Sequence, residues 1–179
     1  HAIFDRGSTD SGHYLYQTSS FGPRKAFNAD GKKSTLVELR GNGSQTMIPP
    51  STHPNGGLLI FTAFNGEEAK VKYDALLRSV SMLAACSEIA QNWREGHRHD
   101  LALAFAGLFL KQDVEHNLVT QIVQRICDIN GDLDVDDRLN AIRTSYAQSA
   151  DSLLGYNGLV DCLGQSKAKR IADRIAAYS

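Results

Sequence analysis

Over roughly the first third of the chain, hydrophobic and polar positions alternate; after that they recur at a helical period. "HYLYQT" (13–18) and "STLVELR" (34–40) carry β-branched and aromatic residues between clusters of Gly, Pro, Asn and Asp, the pattern of short strands bounded by turns. All four prolines fall before position 55, and "IPPSTHPNGG" (48–57) has three of them, so it cannot be helix. "LLIFTAF" (58–64) predicts a short, largely buried strand.

From about residue 67 the spacing predicts helices. Leu76, Val80 and Leu83 share one face. "RHDLALAFAGLFLK" (98–111) is apolar nearly all round and predicts the central helix of a bundle, with Gly107 allowing a close helix contact. Val114, Leu118, Ile122 and Ile126 make a third stripe, and Val135, Leu139, Ile142 and Tyr146 a fourth, preceded by acids that suit a helix N-terminus. Shorter helical segments follow near 158–163 and 166–178. The expected fold is α+β: a partial mixed α/β or β-rich unit over 1–66, then an all-α bundle of five or six helices over 67–179.

Composition narrows the class. Apolar residues make up 42% of the 179, enough for a sizeable core. The longest apolar run is far shorter than the roughly 18 residues a membrane helix needs, so no membrane partner is expected. Cys86, Cys127 and Cys162 show no pairing pattern, which predicts reduced thiols in small apolar positions and a cytoplasmic protein. A net charge of −1 gives no global bias toward nucleic acid, but cations cluster locally at Arg24, Lys25, Lys32, Lys33 and Arg40, and again at Lys167, Lys169, Arg170 and Arg174. The second cluster reads as a solvated helix face. The opening "HAIFDRG" has no Met and reads as part of a longer protein.

Two stretches suggest chemistry. "SGHYLY" (11–16) sets His13 at the start of a strand, and "TLVELRG" (35–41) puts Leu36, Glu38 and Arg40 on one strand face. Such a face is either solvent-exposed or lines a polar site. "RGNG" supplies a tight turn after it, and "PPSTHPNGG" a loop more elaborate than a hairpin needs. "DINGDLDVDDRL" (128–139) is no calcium loop, since Leu133 and Leu139 stand where Gly and Glu are required; it reads as an acidic loop and helix cap. His97 and His99 are too close on a helix to share an ion, and Trp93 reads as a core anchor.

Together these stretches resemble the archaeo-eukaryotic primase superfamily in its bifunctional DNA primase/polymerase branch. Ser11-Gly12-His13 is similar to the small-x-His motif, Glu38 to the later acidic motif, and 38–57 to the branch's "ELRG(D/N)G…PPS-x-HP-x-G" stretch. "WREGHRHDLALAFAGLF" (93–109) resembles the opening of the helical domain that follows the catalytic domain. The similarity runs from about residue 3 to 165.

The resemblance implies a nucleotidyltransferase that builds primers on a single-stranded DNA template from NTPs or dNTPs. Two Mg²⁺ or Mn²⁺ ions would serve it, because hard cations take carboxylate oxygen. It makes Glu38 a catalytic metal ligand and His13 a catalytic contact to the incoming triphosphate. Ser11, Arg6 and Arg40 join His13 as nucleotide-binding residues, and Lys25, Ser51, His53 and Arg98 face the nucleic acid. A replication protein of a mobile element, with a fused or associated helicase, is the setting it implies. His13 and Glu38 are expected to project from adjoining strands into one polar hollow.

One departure stands out. The family's first motif, an acid-x-acid pair, has no match before Ser11, because Asp5 and Asp10 have the wrong spacing. The chain alone is therefore expected to be inactive, with the pair upstream. The alternative is a non-catalytic module that binds single-stranded DNA or nucleotide.

Overall fold

The computed structural model describes residues 2–5, 12–29, 34–148 and 153–178. The fold is mixed α+β, with strands first and helices after. The strands are β1 (Ala2–Asp5), β2 (His13–Thr18), β3 (Lys25–Asn28), β4 (Thr35–Leu39), β5 (Ile60–Phe64) and β6 (Ala69–Val71). The helices are α1 (Tyr73–Gln91), α2 (Arg98–Leu110), α3 (His116–Asn130), α4 (Val135–Tyr146), α5 (Tyr156–Leu163) and α6 (Gln165–Ala176). Two compact units emerge: His1–Lys25 with Glu38–Leu77, and Ala26–Val37 with Arg78–Ser179.

In the first unit, four strands form a sheet in the order β5-β1-β2-β6. β1 is antiparallel to both neighbours, with Phe4 opposite His13 on one side and Phe61 on the other. One face of β1 carries Ala2 and Phe4 into a small core, while Tyr14 and Tyr16 of β2 point outward, as a period of two requires. Two expectations change. β6 is a short strand parallel to β2, where the helical period was expected to have begun already. It arises because "AKV" meets a distant partner rather than a local one. β5 is mostly exposed, although an apolar run suggested burial. Among the described residues β5 pairs only with β1, so it lies at the sheet edge. Its neighbour Leu59 is the buried member of the run.

The second unit is built around α2. Leu101, Ala102, Ala104, Phe105, Ala106, Leu108 and Phe109 are all buried, so the helix apolar on every side is the central one. Burying each of its large side chains stabilises the fold by roughly 1.5–3 kcal/mol. α2 packs against α3, α4, α5 and α6. Gly107 makes this closeness possible: a Cβ there would lie 2.9 Å from the backbone nitrogen of Gly155. Gly158 meets Ala104 in the same way, its Cβ falling 2.9 Å from Ala104 Cβ. Gly131 ends α3 in the left-handed conformation at φ 58°, which costs glycine nothing.

The stripes of α3 and α4 are met in part: Val114, Ile126 and Ile142 are buried, Leu118, Ile122, Val135, Leu139 and Tyr146 are half-buried against the same core, and the deepest positions of α3 are its neighbours Val119 and Val123. That of α1 is not met. Leu83 is exposed, and the buried face instead carries Ser81, Met82, Ala84, Ala85, Glu88 and Ile89. Small and polar residues bring α1 up to α6, where the Ser81 hydroxyl donates to the Arg174 carbonyl oxygen at 3.2 Å. Among the described residues, no helix is long and apolar enough to cross a membrane.

Candidate functional site: a carboxylate between two guanidiniums

The site is assembled by glycines. The 21–24 segment runs against the turn after β4, where the Asn42 amide donates to the Gly22 carbonyl oxygen at 3.0 Å. A Cβ on Gly41 would fall 2.2 Å from that oxygen, so no residue with a side chain fits at 41 without shifting the backbone. Asn42 also donates from its side chain to the Phe21 carbonyl oxygen at 3.4 Å, and Pro23 forms a bridge with Asn42. These contacts fix Arg24 beside the end of β4.

There Glu38 lies between two cations. Arg24 donates from Nε to Glu38 Oε1, and Arg40 donates from Nη2 to Oε2 at 3.3 Å. Arg40 is held in turn by Nη1, which reaches Thr46 Oγ1 at 3.1 Å and the Gln45 carbonyl oxygen at 3.5 Å. The Glu38 side chain is 18% exposed, against 60% for Arg24 and 42% for Arg40. The Arg24 hydrogen bond, opposed by partial burial and reinforced by Arg40, holds the Glu38 carboxyl below its usual range. Two cations meet one anion in this cluster, so its three side chains carry an excess positive charge.

The other residues singled out from the sequence are spread around the chain. His13 does not share a pair of adjoining strands with Glu38: β2 belongs to the four-stranded sheet and β4 to a separate pair with β3. The expected common wall between them is corrected accordingly. The His13 ring stacks on Phe4, with centroids 4.7 Å apart and planes 9° from parallel. The reason is register, since Phe4 and His13 are direct cross-strand partners. Arg6 and Ser11 lie outside the described residues. Lys25 opens β3.

Ser51 and His53 sit in a self-contained loop. The Ser51 amide donates to the Ile48 carbonyl oxygen at 3.1 Å, and His53 Nδ1 lies 2.6 Å from Asn55 Oδ1. The His53 amide donates to the Gly57 carbonyl oxygen at 2.7 Å, closing the turn. Arg98 belongs to the helical unit, at the start of α2, and faces Asp132 at 3.3 Å.

Asp132 is the polar centre that sequence reasoning missed. Fully buried, it accepts from Trp93 Nε1 at 2.9 Å, Arg138 Nε at 3.1 Å and the Asp134 amide at 3.2 Å. Burial pushes its carboxyl up, but these donors outweigh that and hold it below the usual range. The adjoining Asp137 is held low chiefly by His99 Nδ1 at 2.7 Å, with Arg138 adding to the effect. The "acidic loop" is therefore a staple between the segments before α2 and before α4. The signal available was Trp93 ahead of one helix, Arg98 at its start and Asp132 ahead of another.

The basic face of α6 also differs from expectation. Glu88 accepts from Arg170 and Arg174, and Arg174 also donates to the Asn28 carbonyl oxygen, so only Lys169, paired with Asp173 at 2.8 Å, fits a solvated face. A cleft of about 550 Å³ between α3 and α4, lined by His116, Thr120, Leu139 and Arg143 among others, includes none of the residues singled out as site residues.

As a holder of divalent ions the described site does not suffice. Glu38 is one carboxylate, both of its oxygens face guanidiniums, and no three metal-ligating side chains converge among the described residues. What the cluster offers chemically is two guanidiniums aimed at a single oxyanion. No family model matches the chain, and neither the curated proteins nor the solved structures include a match.

Proposed function

We propose that this chain is the later part of a primase/polymerase catalytic domain, followed by its helical accessory domain, and that it takes part in primer synthesis on single-stranded DNA from nucleoside triphosphates. The reading rests on the resemblance of 11–13, 38–57 and 93–109 to that family. The observation that carries it furthest is that Glu38, the residue matching the acidic motif, stands beside two exposed guanidiniums. A nucleotidyl transfer site needs that neighbourhood: an acid at the reacting phosphorus and cations on the phosphates. Mg²⁺ or Mn²⁺ belongs to the reading only together with an acid-x-acid pair, which this chain does not itself supply.

The test is primer synthesis on single-stranded DNA, with Mn²⁺ or Mg²⁺, by a protein that joins this chain to a strand bearing that pair. Glu38→Ala is expected to abolish incorporation and His13→Ala to weaken it. Full activity in Glu38→Ala dismisses the assignment. The excess of exposed guanidinium over carboxylate in the Arg24–Glu38–Arg40 cluster also suits a second reading, a module that binds nucleic acid or nucleotide without chemistry. Salt-dependent binding of single-stranded DNA with no incorporation selects it.

A further inference from the structure

We infer that Arg24 and Arg40 form a polyphosphate-binding pair and that Glu38 is its built-in competitor. The inference takes its choice of ligand class from the reading above, but it requires no catalysis. The geometry is its basis. A carboxylate and a phosphate present oxygen pairs of similar spacing, and guanidinium recognises both through the same fork. Glu38 thus reports where an oxyanion sits between the two arginines: Arg24 on one oxygen, Arg40 at 3.3 Å on the other. The internal anion supplies one negative charge where two cations meet, so a ligand with several charges gains more from the same place.

Exchange is physically accessible because the partners are open to water. Arg24 is 60% exposed and Arg40 42%, so water screens each ion pair with the less exposed Glu38. Arg40 is also preorganised by Thr46 and Gln45, so its guanidinium keeps its place when the carboxylate gives way. Behind Arg24 stand the backbone contacts of 21–23 with Asn42, and its side chain, the more exposed of the two arginines, reaches Glu38 from the solvent side.

The two sides of the competition predict changes of opposite sign. Binding of inorganic triphosphate to the 179-residue chain would be measured by titration calorimetry at low ionic strength. Arg24→Ala is expected to weaken binding by about 3–10-fold, while Glu38→Gln, which removes the competitor, is expected to tighten it by a similar factor. Arg24→Ala/Glu38→Gln should fall between the two. Glu38→Ser serves as a second uncharged variant, and far-UV circular dichroism confirms that each is folded.

Unchanged or weaker binding in both uncharged Glu38 variants overturns the inference, as does triphosphate binding indifferent to Arg24. If the protein that joins this chain to a strand bearing the acid-x-acid pair fails to support primer synthesis, yet the chain shows these opposite shifts, the catalytic reading is sunk and the phosphate pair stands.

Discussion

Two glutamates in this chain each meet two arginines, and they lead opposite lives. Glu38, in the strand unit, is clasped by Arg24 and Arg40, whose guanidiniums stand largely in water. Glu88, in the helical unit, is 1% exposed and accepts from Arg170 and Arg174 on α6. The partner lists are alike, so partner count does not set the role. Burial does. Around Glu88 low polarity magnifies attraction, and an unpaired charge has no water to turn to. Around Glu38 water screens the attraction and stands ready to replace either partner. One cluster ties α1 to α6; the other is suited to exchange.

The comparison can be broken at its buried end first. Glu88→Ala leaves Arg170 and Arg174 crowded without their anion, and is expected to cost about 3–5 kcal/mol, read as a lower urea midpoint. A change of less than about 1 kcal/mol would show that burial does not separate the two clusters.

Asp132→Asn sharpens the same contrast with a smaller effect. It keeps the shape but removes the charge facing Arg138 and Arg98, for an expected loss of about 2–3 kcal/mol at neutral pH. The pH dependence fixes the sign. Because the folded Asp132 carboxyl titrates below its usual range, its contribution is complete above the ordinary carboxylate pKa and is lost as pH falls through the lowered one. The wild-type chain should therefore lose stability on acidification more steeply than Asp132→Asn, seen as converging thermal midpoints.

The smallest expected effect is at the exposed end. Glu38→Gln should shift stability by no more than about 1 kcal/mol, because its partners are solvated. The same depressed carboxyl gives Glu38 a minor share of the acid sensitivity, with the same sign.

Much of the helical unit was legible because α2 is apolar on every side and α4 repeats at helical spacing; the first pattern is fully buried, and the second lies half-buried around Ile142. Gly107 was legible for the same reason: a glycine within such a helix has little use except close approach. α1 was not, because its buried face mixes Ser81, two alanines and Glu88 with Met82 and Ile89, and the polar and small members blur the apolar stripe. β6 escaped because its partner is distant in sequence. At the candidate site Glu38 stood out as an acid within a strand, and Arg24 belonged to a visible basic cluster. Their pairing was hidden because it depends on the Gly22–Gly41 approach, a backbone event with no side-chain signature. The sequence also could not show that the charges on α6 face inward, since that depends on Glu88 in another helix.

The chain contains a single tryptophan, and its indole is committed to Asp132 inside the helical unit. The chain thus carries one indole, in one half of the molecule. Its emission reports the surroundings of Asp132, while in the strand half Tyr14 and Tyr16 stand in the open. Followed in parallel with ellipticity, it can report whether the halves come apart together or in turn, without any label being attached.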